Sequence, residues 1–409
     1  MSGGSVVPWS GESPVAAPAP YPGPGSSWNR GARSAGLYLH IPFCRSKCGY
    51  CAFVSLPCRR PSSAYLEALL IQAAQLADLP WSRERVFFTI FIGGGTPTIY
   101  DAATLTRLLG RLRELFRIAP DAEISLESNP NTLTPQGLRQ LRREGYNRLS
   151  MGVQSFNSEL LRIMGRSHRG DQASRAVKWA KEAGFSDINL DFIYGLPGQS
   201  AAALRDDLEQ ALELVPTHLA LYQLTLEEGT PMAGAVDSAE LVLPHDDEVA
   251  EMEQGARLLL AGAGYQHYEI SNYSLPGRQC RHNLNYWQNG SYLGLGAAAV
   301  SSLSGLRISN VSSPGRYRRL LEAGLAPYAH AEALGLGAAF RETVVMGLRL
   351  RDGVDVEALR RRFGISPEEC YGETIAQLEQ SGLLKITPGR LVLTERGFDL
   401  ANQVLCHLV

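Results

Sequence analysis

The stretch YLHIPFCRSKCGYC (residues 38–51) places Cys44, Cys48 and Cys51 in a C-x3-C-x2-C pattern directly after a short apolar run. Pro42 and Gly49 disfavour a regular helix, so the three thiols are predicted to lie on a loop that leaves a strand. Iron–sulfur clusters are normally held by four cysteine sulfurs. Three thiolates would therefore leave one iron of a 4Fe-4S cluster open to a ligand with an amine and a carboxylate, such as S-adenosylmethionine.

A structural zinc site is the main alternative for these cysteines. Zinc sites generally pair two C-x2-C knuckles or add two histidines at a set spacing. The sequence has no second knuckle, and neither Cys58 nor His40 stands at a zinc-type spacing. Zinc and three unrelated buried thiols are therefore the less favoured interpretations. Arg45 and Lys47 would help to keep the thiols ionised.

The bulk composition is that of an ordinary soluble globular protein. The chain has 409 residues, 44% of them hydrophobic and 20% charged, with a formal net charge of -2. One large domain and a smaller one are expected, and no basic excess points to nucleic acid. Seven cysteines, spread thinly, argue against disulfides and predict a reducing, cytoplasmic setting. No apolar stretch reaches the roughly 20 residues of a membrane span, although peripheral membrane contact stays open.

The first 35 residues differ from the rest of the chain. They contain six prolines and six glycines, and we predict a disordered tail over residues 1–35. A mitochondrial presequence is the alternative because acids are scarce there. Only Arg30 and Arg33 are basic, however, and so much proline makes an amphipathic helix implausible.

From residue 36 onward, short apolar strands alternate with helical patterns. Six such units predict an α/β fold, an incomplete parallel (β/α)6-type barrel over residues 36–265, with its reactive groups at the C-terminal ends of the strands. The predicted strands are Gly36–Ile41, Val86–Ile92, Ala122–Glu127, Arg148–Val153, Asp187–Ile193 and His218–Gln223.

The remaining sequence divides into a connecting segment, 266–338, and a C-terminal domain, 339–409. The latter shows three helical patterns, a short strand pair and a further helix, which is a winged-helix-like order. DNA binding is one functional interpretation of that order. The neutral overall charge favours a packing or partner module instead.

Polar and glycine residues follow several of the predicted strands. The run GGGTPT (93–98) comes directly after strand 86–92, and its backbone N–H and C=O groups could approach a ligand's amine and carboxylate, although a tight turn would need the same residues. Glu127, Gln154 and Asp191 close later strands, and Arg166 lies beyond Gln154. A barrel places its site at such strand ends, whereas each residue alone could be a solvated end or a cap.

Together these motifs resemble the radical S-adenosylmethionine superfamily and, within it, the oxygen-independent coproporphyrinogen III oxidase-like branch that contains HemN and HemW. The resemblance covers about residues 37–393, and YxHIPFC, GGGTPT, GVQSF and IYGLPG mark the branch. It implies that Cys44, Cys48 and Cys51 ligate the cluster. It further implies that Tyr38, Tyr50, Gly94 and Glu127 line a first S-adenosylmethionine site. The positions matching a second S-adenosylmethionine are Gly95, Thr96, Gln154, Arg166 and Asp191.

Two departures separate this chain from the oxidases of the branch. Phe53 stands where the oxidases carry an extra cysteine, and a Pro/Gly-rich tail stands in place of their ordered N-terminal arm. The segment CRHNLNYW (280–287) instead resembles the HNxxYW signature of the HemW haem chaperones. Imidazole is a usual axial ligand of haem iron, so His282 is a candidate iron ligand, with a buried histidine at a domain junction as the alternative.

The resemblance implies a cytoplasmic haem chaperone that holds a 4Fe-4S cluster and S-adenosylmethionine, binds haem, and transfers it to a membrane haem protein such as a respiratory oxidase. Whether it is also an enzyme is left open, as is a homodimer. The alternatives are an oxygen-independent coproporphyrinogen III oxidase and a radical methyltransferase of the same branch. A non-enzymatic, DNA-binding regulator belongs to a different class.

Overall fold

The computed structural model describes residues 34–303 and 305–409. Nearly all of the predicted tail, 1–35, therefore lies outside the described residues. Ser34 and Ala35, which composition assigned to the tail, instead begin the first strand.

Parallel strands at the centre of a twelve-stranded sheet carry the fold. The strands up to residue 333 are, in chain order, β1 (Ser34–Ile41), β2 (Phe43–Cys44), β3 (Leu56–Pro57), β4 (Val86–Gly94), β5 (Ile118–Ser128), β6 (Arg148–Gln154), β7 (Asp187–Tyr194), β8 (His218–Gln223), β9 (Gln266–Glu269), β10 (Asn272–Ser274), β11 (Tyr292–Leu295), β12 (Val300–Leu303), β13 (Leu306–Asn310) and β14 (Tyr328–Ala333).

Helices connect these strands. They are α1 (Ser63–Ala77), α2 (Pro80–Arg83), α3 (Ala102–Leu115), α4 (Pro135–Arg143), α5 (Ser158–Ile163), α6 (Gly170–Glu182), α7 (Ala201–Glu213), α8 (Pro231–Asp237), α9 (Asp246–Gly262), α10 (Arg281–Trp287) and α11 (Pro314–Glu322). Short 3-10 turns follow β4 and β5, at Pro97–Ile99 and Pro130–Thr132. In the described part of the chain, no helix is long and apolar enough to cross a membrane.

The predicted strand-and-helix units are confirmed. Strands β1, β4, β5, β6, β7 and β8 pair in that order and run parallel, as an incomplete barrel requires. Polar N-caps and prolines mark the starts of the connecting helices. The Asp101 carboxylate accepts a hydrogen bond from the Thr104 amide at 2.7 Å, and Pro135 occupies the first position of α4 behind its N-cap, Thr134.

The segment 266–338 does more than connect two domains. Its strands extend both edges of the sheet. At one edge, β11 pairs parallel to β1 and is followed by antiparallel β12, β13 and β14. At the other edge, β10 pairs antiparallel to β8, and β9 pairs antiparallel to β10. The sequence pattern did not predict these strands. They are three to six residues long, too short to show a clear period in the sequence.

Strand alternation decides which side chains reach the interior of the barrel. On β1, Leu37 and Leu39 are fully buried in the hydrophobic core, while the intervening Tyr38 lines a central cavity. On β7, Leu190 and Phe192 lie in the core and Asp191 faces the cavity. Successive side chains of a strand point to opposite faces, so each strand supplies both core and cavity residues.

The C-terminal domain has its own hydrophobic core. Its elements are α12 (Leu336–Gly347), β15 (Val354–Asp355), α13 (Val356–Phe363), α14 (Pro367–Gln380), β16 (Leu384–Thr387), β17 (Arg390–Leu393), α15 (Glu395–Asp399) and α16 (Ala401–Cys406). The three short strands form a sheet in the order β15, β17, β16, which confirms the winged-helix-like order. Arg351 joins this domain to the barrel, because its guanidinium bonds to His267 Nδ1 at 2.8 Å and to Glu395 at 2.7 Å.

One buried glutamine ties α1 to the added edge strands. Gln72 Oε1 accepts hydrogen bonds from Tyr317 OH at 2.6 Å, the Gly296 amide at 3.0 Å and Asn310 Nδ2 at 3.3 Å. Gln72 is only 1% exposed, so water cannot take its place as the acceptor for these donors.

We expect Gln72→Leu to lower the free energy of unfolding by at least about 2 kcal/mol, because it leaves the buried Tyr317 hydroxyl and Gly296 amide without an acceptor. Chemical denaturation of both proteins measures this loss. The matched control is Gln75→Leu, the same substitution at an exposed position of α1, which should cost little. Equal effects of the two substitutions would contradict the role assigned to Gln72.

Candidate functional site

The cysteine loop leaves β1 and is clamped on two sides. On the strand side, the Gly95 amide donates to Ile41 O at 2.8 Å and the Thr96 amide to Phe43 O at 2.7 Å. On the other side, the Gly49 amide donates to Met164 O at 3.0 Å, and the Met232 amide donates to Gly49 O at 2.9 Å. The backbone of the loop is therefore fixed by the barrel on both flanks.

The three predicted cluster cysteines are free thiols that line one cavity of about 640 Å³. Thr96 Oγ1 donates to Cys44 Sγ and Arg166 Nη1 to Cys48 Sγ, each at 3.5 Å. Burial raises the pKa of Cys44, and the Thr96 hydrogen bond opposes that rise. Among residues 34–303 and 305–409, no three His, Cys, Asp or Glu side chains form a group that could hold a single metal ion. A cluster binds each thiolate through a different iron, so its ligands need not converge on one point.

The glycine run serves close packing. Gly94 has φ of +106°, and its amide donates to Glu127 Oε2 at 2.9 Å. A Cβ on Gly93 would lie 2.7 Å from the Glu127 carboxyl, and one on Gly95 would lie 2.6 Å from Phe43 O. The amides of Gly94, Gly95 and Thr96 are thus all engaged within the protein. These three N–H groups are therefore occupied in this structure, and the approach of a ligand to the glycine run stays a prediction, for which the C=O groups and the cavity-lining positions of Gly94, Gly95 and Thr96 remain available.

Two buried carboxyl groups face each other across the cavity. Burial raises the pKa of Glu127 to about 7, assisted by the charge of Asp191 and opposed by the Gly94 amide. Burial also raises the pKa of Asp191 to about 6, although Asn189, Arg166 and Ser150 act in the opposite direction. Asn189 Nδ2 donates to Asp191 Oδ1 at 2.6 Å. A ligand cation placed between these groups would favour the ionised form of both.

Several polar atoms in the cavity wall have no partner. Arg166 Nη2 donates to Gly152 O at 2.5 Å, yet its buried Nε is unpaired. Gln154 adopts φ of +67°, uncommon outside glycine, and its buried Oε1 is also unpaired. The same holds for Asn129 Oδ1, Arg148 Nη2 and Asn272 Oδ1. Because buried polar atoms are normally hydrogen-bonded, this wall fits a polar ligand such as S-adenosylmethionine.

Every site residue predicted from the sequence lines this one cavity. Sequence reasoning missed other residues on the same wall, namely Asn129, Arg148, Ser150, Asn189, His218 and Tyr222. A signal for some of them was present. Ser150 is a polar residue within the apolar strand β6, and Asn189 and Asp191 are polar residues two positions apart within the apolar strand β7. Because alternate residues of a strand point to the same face, Asn189 is expected on the same face as Asp191.

Part of the cavity wall is formed by α10, which carries the HNxxYW motif. Glu123 of β5 holds the start of this helix: it accepts hydrogen bonds from the Arg281 amide at 3.0 Å, the His282 amide at 3.2 Å and Cys280 Sγ at 3.4 Å. Glu123 is itself 8% exposed. A charged acceptor at the first turn satisfies amides that a helix leaves unpaired.

His282 is fully buried and both of its ring nitrogens are occupied. Nδ1 lies 2.8 Å from Thr89 Oγ1, and Nε2 lies 3.0 Å from Tyr286 OH. The imidazole stacks on Phe91 with ring centroids 5.2 Å apart. Burial lowers the pKa of His282 to about 3, so the ring is neutral at physiological pH.

Beside this cavity lies a second, smaller one of about 280 Å³. Aromatic and aliphatic side chains dominate its wall. They are Tyr38, His40, Phe53, Val54, Tyr286, Tyr292, Ala298 and Val300. Tyr38, Phe53 and Tyr286 line both cavities, so the two spaces adjoin each other.

Two family models and several characterised proteins are similar to this chain. The family model for the radical SAM superfamily matches residues 38–211, and the model for the HemN C-terminal domain matches residues 338–400. The haem chaperone HemW of Lactococcus lactis is 38% identical over 90% of this chain and 95% of its own length. HemW of Mycobacterium tuberculosis is 35% identical over 97% of this chain and 99% of its own. HemW of Escherichia coli is 43% identical over 64% and 68% of the two chains.

A solved structure supports the fold. The coproporphyrinogen III oxidase HemN from Escherichia coli, described as a radical SAM enzyme, superposes with a TM-score of 0.81 at 26% identity. The match covers 92% of this chain and 90% of that one. The barrel and the C-terminal domain therefore belong to one shared architecture.

The pKa of Glu127 leads to a pH-dependent prediction. Because this pKa, about 7, lies above the ordinary value of 4.5, ionising the buried carboxyl costs stability as pH rises through that window. We expect Glu127→Gln, which retains an acceptor for the Gly94 amide, to raise Tm relative to the parent protein by more at about pH 8 than at about pH 5. Thermal melts without S-adenosylmethionine measure this difference. The exposed Glu67→Gln on α1 is the control, and a pH-independent difference for Glu127→Gln would contradict the expectation.

Proposed function

The chain belongs to the HemW haem chaperones of the radical SAM superfamily, and from this premise we propose that it holds a 4Fe-4S cluster and S-adenosylmethionine, binds haem, and delivers haem to a membrane haem protein. The observation that carries the proposal is one shared space: residues of the cysteine loop and of the HNxxYW helix line the same cavity. A cytoplasmic location, peripheral membrane contact and a homodimer are parts of the same proposal.

In this proposal Cys44, Cys48 and Cys51 hold the cluster. When bound, such a cluster supplies one electron to S-adenosylmethionine. Arg166, whose Nη1 lies 3.5 Å from Cys48 Sγ, provides a fixed positive charge beside that thiolate. Thr96 gives Cys44 a hydrogen-bond donor. The barrel thus supplies hydrogen-bond donors to two of the three sulfurs.

Charged and polar residues of the cavity wall are the proposed contacts of S-adenosylmethionine. Tyr38, Tyr50, Gly94 and Glu127 are assigned to the first molecule, with the Glu127 carboxylate as the partner of its ammonium group. Gly95, Thr96, Gln154, Arg166 and Asp191 are assigned to a second molecule. The unpaired Gln154 Oε1 and Arg166 Nε support a polar ligand at that position. Ligand binding would favour ionised Glu127 and would therefore release protons near pH 7.

Haem is assigned to the aromatic cavity next to α10. Phe53, Tyr286 and Tyr292 offer the flat apolar surface on which a porphyrin packs. His282 remains the proposed iron ligand, and its neutral imidazole is the form that binds iron. If Nδ1 donates to Thr89, Nε2 has its lone pair toward Tyr286, so ligation requires the Tyr286 hydroxyl to withdraw. Because His282 lines the main cavity and not the aromatic one, ligation also requires the haem iron to reach the main cavity, which adjoins the aromatic cavity at Tyr286.

The role of His282 can be tested against a matched histidine. His218 is also buried and lines the cavity, and its nitrogens bond to Asn189 and Tyr268 at 2.6 and 2.8 Å. We expect His282→Ala to weaken haem binding about tenfold or more and to shift the haem absorption spectrum, because it removes the axial ligand. His218→Ala should lower stability while leaving the spectrum unchanged. Unaltered spectra and affinity in His282→Ala would rule out ligation and leave His282 a packing residue.

An oxygen-independent coproporphyrinogen III oxidase is the second candidate, favoured by the fold shared with HemN. Phe53, where the oxidases carry an extra cysteine, favours the chaperone, and in this structure its side chain is 71% exposed. A DNA-binding regulator that uses the winged-helix-like domain has less support. Helix α14 of that domain carries no lysine or arginine but four glutamates, Glu368, Glu369, Glu373 and Glu379. An acidic helix of this kind is repelled by DNA phosphates.

Anaerobic reconstitution with iron and sulfide, followed by parallel assays, separates the candidates. We expect the reconstituted protein to bind haem stably and to leave coproporphyrinogen III unconverted. Replacing Cys44, Cys48 and Cys51 with serine should abolish the iron–sulfur absorption, because serine does not supply the thiolate ligands. Turnover of coproporphyrinogen would establish the oxidase instead. Formation of S-adenosylhomocysteine would establish a radical methyltransferase.

A further inference from the structure

The outer surface of the cysteine loop is cationic and apolar at once. Phe53, Leu56 and Val54 are 71%, 47% and 38% exposed. Three large apolar side chains within residues 53–56 are therefore exposed, and a cluster of this kind on a protein surface often marks an interaction site. Exposed cations precede and follow them in the sequence. We call this surface the loop face; it comprises Arg45, Lys47, Phe53, Val54, Leu56, Arg59 and Arg60.

Acidic residues do not balance these cations locally. Aspartate and glutamate are absent from residues 34–66, although the whole chain carries 39 basic and 41 acidic residues. In the part of the chain that the structure describes, Arg59 and Arg60 form no ion pair, and Arg45 bonds to a neutral carbonyl, Asn131 O. Arg59 and Arg60 therefore carry exposed, unpaired positive charge, while Lys47 also borders the main cavity.

The loop face is also held rigid. His40 Nε2 bonds to Val54 O at 3.0 Å, and β3 pairs with β2 through Leu56 and Pro57. The Cys58 amide donates to Cys44 O at 2.7 Å. These contacts use the backbone and leave the side chains of Phe53 and Leu56 outward, so their exposure is a property of the folded loop.

We infer that the loop face docks onto an anionic lipid surface. Arginine and lysine are attracted to anionic headgroups, and an exposed phenylalanine inserts at the headgroup boundary. A second copy of the chain fits poorly, because a twofold contact would bring the same cations together. A protein interface would also bury Lys47, a residue type depleted from interface cores.

The inference rests on the proposed function only for its biological meaning. Phe53 lines both the main cavity and the aromatic cavity, so docking through the loop face would bring the proposed haem site close to the bilayer. Glu227, exposed on another part of the main cavity's rim, would be repelled by the same anionic surface. The molecule would therefore approach the membrane with the cysteine loop leading.

Vesicle sedimentation of the anaerobically reconstituted protein tests the inference. The probes are vesicles of phosphatidylcholine alone and of phosphatidylcholine mixed with phosphatidylglycerol. We expect the protein to sediment only with the anionic vesicles and less so at high salt. Each cation near the surface contributes about fivefold to partitioning, so Arg59→Ala/Arg60→Ala should weaken it about 25-fold. Leu56→Ser, at an exposed position that lines neither cavity, should also weaken partitioning, by about tenfold.

The control is Arg360→Ala/Arg361→Ala, an adjacent exposed pair on α13 of the C-terminal domain with the same loss of charge. Equal losses in the two double variants would overturn the inference, as would sedimentation with neutral vesicles alone. Binding that requires a haem protein in the vesicle and ignores lipid charge would assign the loop face to that protein and overturn it too. Haem titration of Arg59→Ala/Arg60→Ala in solution separates failure of docking from failure of haem binding.

Discussion

Two backbone hydrogen bonds fix the site on which the rest of the molecule depends. The Gly95 and Thr96 amides donate to Ile41 O and Phe43 O, and so continue the parallel pairing of β1 and β4 beyond the ends of the strands. The cysteine loop therefore begins from a rigid edge. Glycine is required there, since a Cβ on Gly95 would lie within 3 Å of the Phe43 backbone. The position of the thiols thus follows from strand register.

Burial gives the cavity its chemical character. The same enclosure that lowers the pKa of His282 raises those of Glu127 and Asp191, because each charged form loses its water. Arg166 and the unpaired Gln154 Oε1 add polar groups that the barrel itself does not satisfy. The wall is enclosed enough to shift the pKa values of its side chains. Its unpaired polar atoms lack hydrogen-bond partners until a polar ligand occupies the cavity.

Much of this could be predicted from the sequence, because the central strands are apolar and closed by recognisable residues. The six parallel strands were located to within a few residues, and the cysteines, Glu127, Gln154 and Asp191 all face one cavity. The edge strands β9 to β14 could not be predicted, because their short lengths give no usable period. The partners of His282 could not be predicted either. Thr89 lies 193 residues away in sequence, and its contact exists only after α10 has docked.

Strand β5 has a consequence for communication within the molecule. Glu123 holds the first turn of α10, and Glu127, four residues later on the same strand face, holds Gly94 beside the cysteine loop. Because β5 is hydrogen-bonded to β4 on one side and to β6 on the other, its backbone is held along its length. The start of α10 and the Gly94 end of β4 are therefore both positioned by one strand, and the distance between them is set by the spacing of Glu123 and Glu127 along β5.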